Sequence, residues 1–184
     1  MDELGPRLGD MLQIRPAVTA DVEVVDEIAQ SAFEHYTARI GRPPTPMSID
    51  YRAAVEAGKI WVADDRSTVV GFVLLENEDD ALLLDVIAVS PAAQGTGVGS
   101  ALLTFTETEA ETRGYSRITL YTNVMMTENL AYYPRHGYVE TGRQYKNGFG
   151  RAHFEKMLAG VSGDEGSAVS GVGPTDETGG LQPG

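Results

Sequence analysis

The sequence predicts an α+β domain: a central mixed, mostly antiparallel sheet flanked by helices. Three observations predict it. Strand and helix periods alternate in the order β-α-α-β-β-β-α-β-α-β-β. The apolar run Ala81–Val89 feeds a glycine-rich turn that opens directly into an amphipathic helix. Two strand-like segments, Tyr138–Lys146 and Arg151–Met157, close the chain across Asn147-Gly148, a strong hairpin signal. The 184 residues, 42% of them hydrophobic, suit one domain with tails.

The elements follow in order. Met11–Pro16 reads as a first strand, with Met11 a second candidate start. Thr19 is placed to cap a helix whose first turn carries Asp21 and Glu23 and whose apolar face is Val22, Val25, Ile28, Ala29 and Ala32. Thr37–Met47 contains Gly41, Pro43, Pro44 and Pro46 and reads as loop. Ser48 is placed to cap a second helix that stops at Gly58. Lys59–Ala63 and Thr68–Leu75 read as strands around the turn Asp64–Ser67, and Ala81–Val89 as a buried strand. Val98, Ala101, Leu102 and Phe105 form the stripe of a helix that ends near Gly114. Arg117–Thr122 is a strand, and Glu128–His136 a short helix halted by Gly137. The domain is expected over 12–158. The extension 1–11 and the Gly/Ser/acid tail 159–184 lack the apolar content to offset ordering entropy and are expected to be disordered.

Composition excludes several classes. A net charge of −13 opposes nucleic-acid binding, which needs a basic footprint. An acidic surface favours cationic ligands such as amines, although it also serves solubility. No apolar run approaches the roughly 20 residues of a membrane span, so no membrane partner is expected. With no cysteine there is neither a disulfide framework nor a thiolate nucleophile. His35, His136 and His153 share no metal-ligand spacing, so no metal is implied. Met1-Asp2-Glu3-Leu4 does not read as a secretory signal, and a cytoplasmic location is expected.

The turn itself is Gln94-Gly95-Thr96-Gly97-Val98-Gly99, followed by Ser100. Glycines admit positive φ and let an anion approach backbone amides, and a helix start adds free N–H groups. The dinucleotide fingerprint fails on spacing, since the third glycine arrives one residue early. A nucleotide-triphosphate loop fails because no Gly-Lys-Ser/Thr follows. What fits is Q/R-G-x-G-x-G/A preceded by Val-x-Pro, here Val89 and Pro91. This resembles motif A of the GNAT acetyltransferase superfamily. A second block, Tyr133-Pro134-Arg135-His136-Gly137-Tyr138, resembles that superfamily's Tyr-x-x-x-Gly-Phe/Tyr, and Leu120–Asn123 with Met126–Asn129 resembles one of its branches. The likeness spans about residues 12–158. Two departures stand out: His136 occupies a usually apolar place, and Pro134 removes an N–H inside the helix.

The resemblance implies the GNAT fold and transfer of acetyl from acetyl-CoA to a primary amine, on a small molecule or a peptide. It implies that Gln94, Gly95, Thr96, Gly97, Val98, Gly99 and Ser100 hold the pyrophosphate and that Asn129 contacts the CoA arm. Tyr133 falls on the family's proton donor to the departing thiolate; packing under the sheet is its alternative. A backbone N–H among Ile87, Ala88 and Val89 is placed to polarise the thioester carbonyl. Asp85 interrupts an apolar strand nearby and is a candidate base, or a structural acid paired with neighbours. Glu76 and a water relay are the other candidates. Tyr36, Arg39 and Arg42 lie where this fold places its acceptor and either bind an acceptor carboxylate or form a solvated loop. Dimers are frequent in the superfamily, which leaves a homodimer open. The rival to an enzyme is a GNAT-fold module that binds acyl-CoA without turnover.

Overall fold

The structure is a computed structural model that describes residues 12–159 apart from 147. The expected extension and nearly all of the expected tail lie outside the described residues. Seven strands form one sheet in the order β1-β2-β3-β4-β5-β7-β6. They are β1 (Leu12–Pro16), β2 (Ile60–Asp65), β3 (Thr68–Asn77), β4 (Leu82–Val89), β5 (Arg117–Asn123), β6 (Val139–Lys146) and β7 (Phe149–Met157). The helices are α1 (Val22–Phe33), α2 (Thr37–Ile40), α3 (Tyr51–Glu56), α4 (Val98–Thr112) and α5 (Thr127–Arg135). Every neighbouring strand pair is antiparallel except β4 and β5, which run parallel because α4 carries the chain back between them.

Local chemistry shifts several predicted boundaries. The chain enters α1 through a 3₁₀ turn, Thr19–Asp21, and Asp21 rather than Thr19 organises it. The Asp21 carboxylate accepts from the Val18 N–H at 2.8 Å and from two guanidinium nitrogens of Arg15 at 2.7 and 3.1 Å. Three N–H donors converge there, more than the two lone pairs of a hydroxyl accept. Arg15 also reaches Asp64 on β2, which ties this corner to the sheet. Likewise Asp50, not Ser48, caps α3, accepting from the Ala53 N–H at 3.0 Å. The segment Thr37–Met47 is not all loop. It holds the four-residue α2, stopped by Gly41 at φ +84°, and the start of a 3₁₀ turn, Thr45–Ser48, that accommodates Pro46.

Two cores sandwich the sheet. One lies under α1 and α3 and contains Val25, Ile28, Tyr51, Val62, Phe72 and Leu74. The other lies under α4 and α5 and contains Val73, Leu75, Leu102, Leu103, Ile118 and Phe154. β4 belongs to both. Leu82 and Leu84 sit in the α4-side core, but Val86 and Ala88 sit in the α1-side core. A regular strand would keep all four on one face. The switch occurs because Leu74 pairs with Val86 and Leu75 with Leu84, which makes Asp85 the extra residue of a β-bulge.

The bulge positions the site. The β4–β5 ladder ends at Leu84–Leu120, immediately before Asp85. Beyond it β4 continues to Val89 and β5 to Asn123 without pairing to each other. A bulge bends its strand and raises the local twist, so the two strand ends diverge and open a cleft in mid-sheet.

Candidate active site

The cleft is a cavity of about 630 Å³. Its walls are the end of β4 from Asp85 to Ile87, the end of β5 from Tyr121 to Asn123, Asn129 and Tyr133 of α5, the β6–β7 hairpin and the proline segment after α2.

Tyr133 stands at the base of one wall. Its ring packs 5.6 Å from Phe154, 5.7 Å from Tyr132 and 5.9 Å from Tyr138, so its position is fixed by three aromatic neighbours. The residue is only 6% exposed, and it lines the cavity. Its hydroxyl has no hydrogen-bond partner among the described residues, yet it is not sealed in as the Tyr138 hydroxyl is. Burial raises the Tyr133 phenol well above its ordinary value, so it keeps its proton at neutral pH. A held, protonated, uncommitted O–H facing a cavity is suited to donate.

Asp85 Oδ1 accepts a 2.7 Å hydrogen bond from the Tyr121 hydroxyl. Burial and the adjacent carboxylate push Tyr121 up to about 12. Asp85 is half-buried and is the acid among the residues that line the cavity. The other candidate base, Glu76, is engaged elsewhere: Lys59 Nζ lies 2.8 Å from it, away from the cavity. Asn129 Nδ2 donates to Thr122 Oγ1 at 3.1 Å, which fixes the amide across the divergent strand end.

The glycine-rich turn lies at the start of α4. Gly95 and Gly97 adopt φ +75° and +98°, and Gln94 Nε2 donates back to the Val89 carbonyl at 3.3 Å. The amides of Gly97, Val98, Gly99 and Ser100 have no backbone acceptor among the described residues; the first helical bond is Ala101 N–H to Gly97 O. A Cβ at Gly95 or Gly97 would meet nothing within 4 Å, so the space over those amides is open. Free amides, open space and the positive end of a 15-residue helix fit a pyrophosphate. Gly99 serves packing instead: a Cβ there would lie 2.8 Å from the Tyr132 hydroxyl oxygen.

His136, the departure noted in the second motif, braces this turn. Its Nδ1 lies 3.0 Å from the Tyr132 carbonyl and its Nε2 3.1 Å from Ser100 Oγ. A carbonyl only accepts, so Nδ1 donates to it, and Nε2 pairs with the Ser100 hydroxyl. Pro134 lies inside α5, in its last turn, where it removes one N–H from the helix ladder.

The three residues expected at the acceptor side part company. Arg42 lines the cavity and stacks on the Phe149 ring. Tyr36 is buried in the α1-side core. Arg39 donates to Glu128 at 2.7 Å and caps the Tyr36 ring, off the cavity. Sequence reasoning assigned no role to Tyr121 and overlooked Arg151, Phe149 and Gln144, which all line the cavity. The available signal was the alternation Phe149-Gly150-Arg151, which puts an aromatic and a cation on one face of β7.

Residues 56–140 match the family model described as an acetyltransferase (GNAT) domain. Mycothiol acetyltransferase of Jonesia denitrificans is 36% identical over 81 residues, which is 43% of this chain and 26% of that protein. Probable N-acetyltransferase 14 of Xenopus tropicalis is 36% identical over 87 residues, 46% of this chain and 42% of that protein. The chain thus matches less than half the length of either curated relative. Among solved structures, PaiA N-acetyltransferase from Thermoplasma acidophilum in complex with coenzyme A has a TM-score of 0.68 at 17% identity, covering 80% of this chain and 99% of that one. At that identity the likeness is one of fold.

Proposed function

We propose that this chain, whose residues 56–140 match the acetyltransferase (GNAT) domain model, transfers the acetyl group of acetyl-CoA to an amine by direct attack on the thioester. The observation that carries this reading is the divergence of β4 from β5 after Leu84–Leu120, which leaves a strand edge open beside the uncommitted Tyr133 hydroxyl. The coenzyme A held by the Thermoplasma relative on the same fold supports it.

Gln94–Ser100 would hold the pyrophosphate through main-chain amides, and Asn129 with the open edge at Ile87, Ala88 and Val89 would hold the arm. Acetyl-CoA supplies an activated acyl carbon with a thiolate leaving group. The acceptor nitrogen attacks that carbon, the C–S bond breaks, and the nitrogen ends as an amide. A β4 N–H polarises the carbonyl; one such donor is worth about 3 kcal/mol. Tyr133 gives its proton to the sulfur as it leaves, and the acceptor's proton departs through Asp85 or water. The binding energy of the long cofactor arm fixes the reacting carbon.

The test is thiol release from acetyl-CoA by the full chain against a panel of amines. Acceptor-dependent release with formation of the N-acetyl product is expected. Tight acetyl-CoA binding with no release against any amine would instead leave a binding module.

A further inference from the structure

Among the described residues, Arg42 and Arg151 are the arginines that line the cavity. Arg15, Arg39, Arg66, Arg113, Arg117 and Arg143 each have a carboxylate within salt-bridge distance. Arg42 and Arg151 have none among the described residues, and neither do Arg52 and Arg135, but only Arg42 and Arg151 of these four line the cavity. Each is held instead by an aromatic face: Arg42 over Phe149, and Arg151 at 4.5 Å over Tyr121. Phe149 and Arg151 are two apart on β7 and share a face, so the two guanidinium groups come from adjacent positions. Stacking occupies the flat face of a guanidinium and leaves its N–H edge free, the edge that matches a planar carboxylate in bidentate fashion. Tyr121 links this cationic pair to the anion opposite, with Arg151 on its ring and Asp85 on its hydroxyl. The cavity therefore presents a negative pole at Asp85, next to the divergent strand ends, and a positive pole at Arg42 and Arg151.

Resting on the acetyl-transfer reading, we propose that the acceptor is a zwitterion: an amine whose own carboxylate is bound by Arg42 and Arg151 while its nitrogen is received at Asp85. The apolar wall of Ile40, Pro43, Pro44 and Ile49 takes the carbon skeleton. The acceptor class is a free amino acid or a close relative rather than a polyamine, whose second cation would meet the arginines.

The experiment compares leucine, leucinamide and isopentylamine as acceptors for the full-length protein, with a Leu-Gly-Gly amide peptide and the aminophosphonate analogue of leucine as further arms. Leucine is expected to exceed leucinamide in kcat/KM by roughly 10-fold or more, the loss expected when bidentate charged hydrogen bonds are left unmade. The bias runs against intrinsic reactivity, since the amine of the amide is the less protonated and the readier nucleophile. Arg151→Gln and, separately, Arg42→Gln should bring leucine down to the level of its amide. Equal use of leucine and leucinamide, better use of the peptide amide or the phosphonate, or an undiminished preference in both variants would overturn the proposal. Calorimetric binding of leucine to the protein gives a readout independent of turnover. If no amine releases thiol but leucine binds and Arg151→Gln abolishes that binding, the transfer reading fails and the carboxylate site stands. If leucine binds wild type and both variants alike, or binds none of them, the carboxylate site fails.

Discussion

The Tyr121 hydroxyl donates to Asp85 Oδ1 across 2.7 Å, one residue beyond the last pair of the β4–β5 ladder. Where backbone pairing stops, a side-chain bond takes over, and it spans the mouth of the cleft. Asp85 is also the bulged residue of β4, so the bond holds the carboxylate at the point where the strand changes face.

Asp85→Asn keeps the size of the side chain and can still bond to Tyr121, but it removes the charge. Acetyl transfer is expected to fall roughly 10-fold or more in kcat/KM, with melting within a few degrees of wild type and unchanged calorimetric affinity for acetyl-CoA. Unchanged turnover would leave Asp85 as a strand-holding acid and pass proton removal to water.

Gly97→Ala separates backbone conformation from space. A Cβ at this position meets nothing, but φ is +98°, where an L side chain is strained. A cost of about 1–2 kcal/mol is expected in urea unfolding. A relaxed turn also misaims its amides, so acetyl-CoA affinity should fall several-fold by calorimetry. Loss of stability with full affinity would place the pyrophosphate elsewhere.

The order of strands and helices was legible because nearly every element keeps one hydrophobic period, and the Gln94–Gly99 turn because Gly95 and Gly97 are needed for positive φ. The divergence of β4 was not legible. Leu82, Leu84, Val86 and Ala88 are all apolar, and a continuous apolar run does not record that a bulge moves half of them to the other core. Arg151 meets Tyr121 only because β7 inserts between β5 and β6, a long-range pairing with no local signal. The caps differ for a plainer reason: Asp50 outcompetes the nearby Ser48 as acceptor for the Ala53 N–H, and Asp21 reaches back to the Val18 N–H while no side chain caps α1.

The protein should lose stability steeply in alkali. Tyr51, Tyr121, Tyr133 and Tyr138 all have phenols raised by burial, Tyr121 to about 12. Unfolded tyrosine titrates near 10. Above about pH 10 the unfolded chain has shed protons that the folded chain still holds, so stability is full below that pH and falls as pH rises, by about 1.4 kcal/mol per unit for each such group. Tyr138→Phe isolates one of them. Its hydroxyl is buried without a partner among the described residues, so the change should be neutral or stabilising at pH about 7 and should flatten the alkaline slope. Urea unfolding across that range checks both; an unchanged slope would mean that Tyr138 ionises as readily folded as unfolded.

Tyr133→Phe tests the proton donor. The ring is held by Phe154, Tyr132 and Tyr138, and the hydroxyl bonds to no described residue, so the substitution removes no contact that supports the fold. Melting and acetyl-CoA affinity should therefore stay near wild type. Turnover should fall roughly 10-fold or more if the phenol protonates the leaving sulfur. The raised phenol value gives a second signature. Wild-type activity should not lose this donor as pH passes the ordinary tyrosine value, because the buried group keeps its proton there. A thioester whose thiol is more acidic leaves without needing the proton, and with that donor the defect should shrink. A defect of equal size with both donors would assign the hydroxyl to placing the acyl group. Wild-type turnover with chemistry rate-limiting would return Tyr133 to packing alone and hand the proton to water.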